Sequence, residues 1–261
     1  NVDVRWAMAY AIDQQQVIDV GWEGAGEPLT IPYPRYKPLE PYFEAAKPLL
    51  EEKDPTAFRP EMTESLMEGA GFTKDAEGFW VDDEGNRPDA QIYADPGIFG
   101  NLAPIVAEQL RNAGFDSTHV APPDVWAAKS DGRALLHFFG HGGSIADPFA
   151  TLDMYHSRHV APTGENCGPN RARWGNPEFD AIVEEMDRTP MDDPNLVPLF
   201  EKAIAIWLDE LPEVPLTQFY HRIAMNTTYW TNWPTVNNAY VNGAPWHLTF
   251  PLILWNLKAA S

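Results

Sequence analysis

Leu135-Leu136-His137-Phe138-Phe139-Gly140-His141-Gly142-Gly143-Ser144-Ile145-Ala146-Asp147-Pro148 is the stretch that decides how the rest of the chain is read. Apolar residues from Ala134 to Phe139 form a short run closed by glycine, which predicts a buried strand. The glycines that follow carry no Cβ, so another backbone can come close. Asp147-Pro148 then starts a helix predicted over 149–156. Open α/β sheets hold their ligands where a strand runs into such a loop and a helix start, at the carboxyl ends of the strands. An ordinary strand-to-helix turn looks the same, and these residues alone do not separate the two.

The flanking segments supply the rest of an α/β pattern. Upstream, strands are predicted at 79–81, from Asp89 through Gln91-Ile92-Tyr93, and over 115–120. A helix over 102–113, stopped by Gly114, lies between the last two, and this order predicts a parallel or mixed sheet. Pro123-Asp124 starts a short helix carrying Trp126, which Asp131-Gly132 closes. At the amino end Asp3 is the expected N-cap of a helix running to about Val20, with Val4, Met8, Ala11 and Ile12 on one face. The segment from Pro28 to Pro60 is dense in proline and reads as a long ordered loop. A short helix at 61–70 ends at Gly71.

Downstream, 161–174 reads as a polar loop. Asn176-Pro177-Glu178 starts a helix with Phe179, Ile182, Val183 and Met186 on its apolar face. A second helix, at 195–211, presents Leu199, Ala203, Ile206 and Trp207. Extended segments are expected at 214–220 and 223–228, followed by a tail rich in Trp, Asn and Pro and a last apolar run at 248–257.

Composition narrows the function. Eighteen basic and 38 acidic residues give a net charge of −20, a field that repels nucleic acid and anionic membrane surfaces. The sequence lacks an 18-residue apolar run, so a membrane span is not expected. It opens at Asn1 without a charged-then-apolar leader, so a signal peptide is expected to be absent or removed. Cys167 is the single cysteine, which rules out an intrachain disulfide. Ten Trp and nine Tyr serve either a core or platforms for flat ligands.

Catalytic machinery is not recognisable. G-x-S-x-G is missing, and Gly140-His141-Gly142-Gly143 lacks the Lys-Ser/Thr ending of a phosphate-cradling loop. His137 and His141 are four apart, but in a strand that spacing separates them by about 13 Å. His156 and His159 lack companion ligands, so neither a metal nor any other cofactor is expected. Paired carboxylates of a glycosidase could be chosen almost anywhere among the acidic residues, and sequence does not give their separation.

Several stretches together resemble one family. Val4-Arg5-Trp6-Ala7-Met8-Ala9-Tyr10-Ala11-Ile12-Asp13 is similar to the "VRxAxxYAID" helix of family 5 extracellular solute-binding proteins. That family comprises the dipeptide, oligopeptide, nickel and oligosaccharide receptors of ABC importers. Ala107-Glu108-Gln109-Leu110 with Ala113-Gly114-Phe115-Asp116 resembles its "AxxLxxxGI" unit. Asp147-Pro148 and Asn176-Pro177-Glu178-Phe179-Asp180 resemble its "DP … NPEFD" pair, and Leu211-Pro212-Glu213-Val214-Pro215-Leu216 its "APxxPL" exit.

The resemblance implies a periplasmic-binding-protein type II lobe, a mixed sheet flanked by helices, forming the carboxyl-terminal part of a two-lobed receptor. Residues 1–222 would be the second ligand-binding lobe. Residues 223–261 would be a return segment that packs on the first lobe in relatives, leaving Trp230, Trp233 and Trp246 exposed without it. The implied partners are a small ligand and the membrane permease of an ABC importer. The implied location is periplasmic or extracellular, with any lipid anchor on a preceding segment, and a monomer is expected.

Peptide-binding members carry Asp at the position of Ser144 and Trp at that of His141, while Trp126 matches one of their cleft-facing Trp residues. Neutral Ser144 would leave a peptide ammonium buried without a counter-charge. The tail Tyr229-Trp230-Thr231-Asn232-Trp233-Pro234-Thr235, with Trp246-His247-Leu248-Thr249-Phe250, resembles the β-glucoside and cello-oligosaccharide branch. The expected ligand is therefore an uncharged, β-linked oligosaccharide, with an oligopeptide or a glycoside hydrolase module as alternatives. The expected ligand-binding residues are Trp126 as a stacking platform, Phe139, His141 and Ser144 as hydroxyl partners, Gly142 and Gly143 through their backbone, and Asn170, Arg173 and Trp174.

Overall fold

The computed structural model describes residues 1–140, 143–220, 223–245 and 249–260. Helix α1, Val2–Tyr10, is capped by Asn1, whose side chain accepts from the Asp3 N–H at 2.8 Å. The cap therefore lies two residues before the expected Asp3. The single helix expected to Val20 is interrupted after Ala11. Asp13 re-caps the chain by accepting from the Gln16 N–H, and α2, Gln14–Gln16, runs on as a π-helical turn, Val17–Gly21. Gly21 lets that turn pack closely against Leu102, since a Cβ there would push the end of the Leu102 side chain aside.

After the short strand β1, Gly26–Pro28, the proline-dense segment departs from its reading as loop. It contains the 13-residue helix α3, Glu40–Glu52, with Pro41 in its first turn and Pro48 inside. Tyr42, Phe43 and Ala46 are buried at helical spacing, and that apolar stripe outweighs the hydrogen bond lost at Pro48. Tyr33, fully enclosed, donates to the Pro148 carbonyl at 2.7 Å and ties this segment to the start of a later helix.

Helix α4, Pro60–Gly69, leads into a small hairpin of β2, Thr73–Lys74, and β3, Trp80–Val81. Then come β4, Gln91–Tyr93; α5, Ala103–Asn112; β5, Thr118–Val120; α6, Val125–Asp131; and β6, Leu136–His137. These three strands form one parallel sheet in the order β5-β4-β6. The chain passes from central β4 to one edge and then back past it to the other. The strand expected across 134–139 is two residues long and half-buried.

Helix α7, Phe149–Asp153, follows. Then come α8, Pro177–Arg188, and α9, Leu196–Glu210. The Asn176 side chain caps α8 by accepting from the N–H groups of Glu178 and Phe179. Strand β7, Thr217–Phe219, pairs antiparallel with β1, whereas 223–228 joins no sheet. Strand β8, Trp230–Thr231, and β9, Lys258–Ala259, pair across α10, Phe250–Asn256.

Helix α1 lies between two hydrophobic clusters. Trp6, Ala9 and Tyr10 face α3, α8 and α9, while Ala7, Met8 and Ala11 face α4, α5 and the sheet. Helix α9 buries Leu199, Phe200, Ala203, Ile204 and Trp207 along one stripe, so Phe200→Ala is expected to cost about 3–5 kcal/mol. By contrast, the tail is less well covered: Trp230 is half exposed and Trp255 is 88% exposed, whereas Trp233 is half-buried and Trp246 lies outside the described residues. Among the described residues no helix is long and apolar enough to cross a membrane.

Candidate functional site

The three parallel strands end together. Past their last residues, the Ala94 N–H donates to the Val120 carbonyl at 3.0 Å and the Phe138 N–H to the Tyr93 carbonyl at 3.3 Å. This locks the segments that follow β4, β5 and β6 side by side, at the edge where α/β sheets hold ligands. Asp95 lies two residues past β4. Trp126 lies on α6 after β5. Phe139 lies two residues past β6.

Trp126 is 47% exposed, yet fixed. Its indole Nε1–H donates to Asp95 Oδ2 at 2.9 Å, and the Lys129 ammonium lies 4.2 Å from its ring centroid. The helix sets that second contact, since residues three apart on α6 share a face. Lys129 is itself fully buried and donates to the Phe138 carbonyl at 2.9 Å. Burial lowers its pKa, an effect opposed by the nearby charge of Asp95. Asp95 is held in turn, because its Oδ1 accepts from the N–H groups of Gly97 and Ile98. Phe139 is half-buried, with the Arg171 guanidinium 5.1 Å from its centroid. Arg171 also donates to the Ser130 hydroxyl, and that hydroxyl donates to the Trp126 carbonyl. One wall therefore joins Asp95, Trp126, Lys129, Phe139 and Arg171.

The other expected residues have different occupations. Ser144 is 1% exposed; its Oγ accepts from the Thr151 N–H, and its own N–H donates to Thr151 Oγ1, each at 3.0 Å. This reciprocal cap holds the first turn of α7 and leaves the hydroxyl turned inward, not toward a ligand. Gly143 lies so close to α7 that a Cβ would meet Thr151 Oγ1 at 3.0 Å, so its backbone serves the same junction. His141 and Gly142 lie outside the described residues.

The loop group is likewise internal. Asn170 is buried, donating to the carbonyls of Tyr155, His156 and Trp174 and accepting from the Trp174 N–H. Arg173, at φ +52°, donates to the carbonyls of Ala161, Pro162, Ser130 and Glu165. Trp174 packs edge-on against Phe179 at 4.9 Å and donates to Glu210. These three close the loop onto α6 and α8.

His137 donates from Nδ1 to the Ala134 carbonyl, and burial depresses its pKa. Among the described residues no group of three His, Cys, Asp or Glu is placed to hold a metal. Cys167 is buried, its N–H donating to the Ser130 carbonyl. Asp95 and Lys129 were not anticipated from sequence. The signals for them were an Asp-Pro-Gly turn directly after a strand and a lysine three residues beyond a helical tryptophan.

The family model "Bacterial extracellular solute-binding proteins, family 5 Middle" matches residues 1–161. The chain belongs to that family. Membership places it with binding proteins rather than hydrolases. The oligopeptide-binding protein OppA of Bacillus subtilis is 24% identical over 219 residues, covering 83% of this chain and 37% of that protein. A periplasmic oligopeptide-binding protein from Thermotoga maritima, solved with mannohexaose bound, superposes with a TM-score of 0.75. It is 24% identical over 98% of this chain and 49% of that one. NikZ of Campylobacter jejuni, solved with Ni(L-His), is 20% identical, with a TM-score of 0.66 over 84% of this chain and 42% of that one. The fold is thus that of a type II periplasmic-binding-protein lobe, and the chain spans about half the length of its solved relatives or less.

Proposed function

We propose that this family 5 chain is the second lobe of a two-lobed receptor that captures an uncharged oligosaccharide, β-linked and cello-oligosaccharide-like, for an ABC importer. The observation that carries the reading is Trp126, exposed yet fixed by Asp95 and Lys129 at the carboxyl ends of the sheet. A ring already held in place loses little conformational freedom when a sugar stacks on it, which is how preorganisation raises affinity. Phe139 lies along the same wall, against the Arg171 guanidinium.

Closure would be favoured only by contacts that the ligand makes to both lobes, and no covalent step is needed. Residues 223–261 would complete the receptor by packing on the first lobe. Trp255, 88% exposed on a seven-residue helix that also exposes Leu252 and Leu254, supports that role, since three large apolar side chains on one short helix suit a covered face. The complete receptor would work in the periplasm or outside the cell, with the importer's permease as its partner.

The oligopeptide reading is favoured by the name of the Bacillus subtilis relative. It is weakened at Ser144, whose neutral hydroxyl is bound to Thr151 and leaves no carboxylate there for a peptide ammonium. Calorimetry on the complete two-lobed receptor separates the readings. Cellotetraose is expected to bind and a mixture of tri- to pentapeptides to give no heat. Peptide binding without sugar binding would replace the first reading by the second.

A further inference from the structure

Both aromatic rings of the wall carry a cation on one face, in a protein whose net charge is −20. Lys129 has no exposed surface, so its ammonium lies on the inner side of the Trp126 indole and the solvent-facing side is left open. It also lies 5.4 Å from the Phe99 centroid, and its hydrogen bond to the Phe138 carbonyl fixes its position. The Arg171 guanidinium lies 5.1 Å from the Phe139 centroid, and its buried Nε has no partner.

An aromatic face ordinarily attracts cations through its quadrupole. A positive charge already seated against one face opposes a second on the other, at roughly 8 Å, because a buried charge such as that of Lys129 is screened by salt much less than an exposed one. Asp95 accepts three neutral N–H bonds, from Trp126, Gly97 and Ile98, and keeps its negative charge at the edge of the indole. Lys129 balances that charge, so removing the lysine would leave an uncompensated carboxylate to draw a cationic guest onto the ring.

We infer that Lys129, reinforced by Arg171, is a specificity-determining residue: it bars cationic groups from the open face of Trp126 and leaves that face to uncharged rings. The inference deepens the oligosaccharide reading and rests on it for the identity of the guest, but the charge selectivity itself can be measured without any guest. The lysine acts through the indole and not by touching the ligand. It supplies the charge discrimination that a neutral Ser144 cannot.

The test has two arms. In the first, tryptophan fluorescence of this chain is quenched with acrylamide, which is neutral, and with caesium ion. The Trp126 contribution is isolated by subtracting the Trp126→Phe protein from its parent. In Lys129→Gln, which keeps an N–H for the Phe138 carbonyl, the caesium quenching constant of that contribution is expected to rise about threefold or more while the acrylamide constant stays within about 1.5-fold. Lys129→Met serves as a second uncharged variant, and circular dichroism confirms that each is folded. If both constants rise together, the lysine is only a steric cover, and if neither changes it has no electrostatic role; either result overturns the inference.

The second arm titrates the complete receptor with cellotetraose and with the glucosamine tetramer of the same linkage, in mildly acidic buffer where its amines are charged. The native protein is expected to prefer cellotetraose by about tenfold or more, and Lys129→Gln to narrow that preference several-fold. Cellotetraose binding with the preference unchanged in Lys129→Gln overturns the inference and leaves the oligosaccharide reading standing. Caesium selectivity as expected, with neither glycan bound, overturns the oligosaccharide reading and leaves the exclusion of cations in place.

Discussion

The loop at 161–174 and the wall at the strand ends both attract attention in the sequence, the first through Asn170, Arg173 and Trp174, the second through Trp126 and Phe139. Their structures differ in one respect. In the loop, Asn170 and Arg173 donate to backbone carbonyls around them, and Trp174 is packed against Phe179. In the wall, the polar groups of Asp95 and Lys129 are also engaged, but what they hold is an exposed ring. Polar groups in a loop thus point to function only when their bonding leaves some surface open to a partner.

The comparison breaks if loop residues can be removed without loss of stability. Asn170→Ala is expected to lower unfolding stability by about 3 kcal/mol in urea, since the Tyr155 and Trp174 carbonyls lose a buried donor. Stability near that of the parent would show that the loop is not a closure. Gly132→Ala should cost about 2 kcal/mol. Gly132 ends α6 at φ +80°, and a Cβ there would lie 2.3 Å from Arg173 Nε, so the change strains the backbone and pushes the loop's clamp aside.

Ser144→Ala tests the residue that moved from one group to the other. Loss of the reciprocal cap on α7 should cost about 1 kcal/mol in thermal unfolding, with the charge preference of the receptor unchanged. Altered ligand selectivity in that variant would return Ser144 to the wall. The smallest effect on stability is expected for Trp126→Ala, within about 1 kcal/mol because nearly half of the side chain is already exposed. Its sugar affinity should nevertheless fall tenfold or more, by about 1.4 kcal/mol, when measured by calorimetry. A Trp126→Ala protein that bound sugar normally while unfolding easily would invert the comparison.

The sequence made much of the fold legible where local chemistry and burial agree. Asn176 caps α8 as its spacing predicts, and the stripe from Leu199 to Trp207 is the buried face of α9. The crossover from β4 through α5 to β5 follows from the order of elements. Helix α3 was hidden because proline outweighs other signals in a local reading, although Tyr42, Phe43 and Ala46 already had helical spacing. The wall was only half legible. Trp126 and Phe139 stand out by residue type, but Asp95 joins them through a contact 31 residues away, which no local pattern reveals. The internal bonds of Asn170, Arg173 and Ser144 were illegible for the converse reason: their partners lie on the protein itself but are not visible in one dimension.

Cys167, buried within the 161–174 loop, has a practical use. Being shielded, it should react slowly with maleimides in the folded chain. A cysteine introduced at exposed Ile98, whose N–H already bonds to the carboxylate that fixes Trp126, would then be the one readily labelled thiol. A solvent-sensitive dye attached there would sit beside the wall and report its occupancy directly, turning this lobe into an optical sensor.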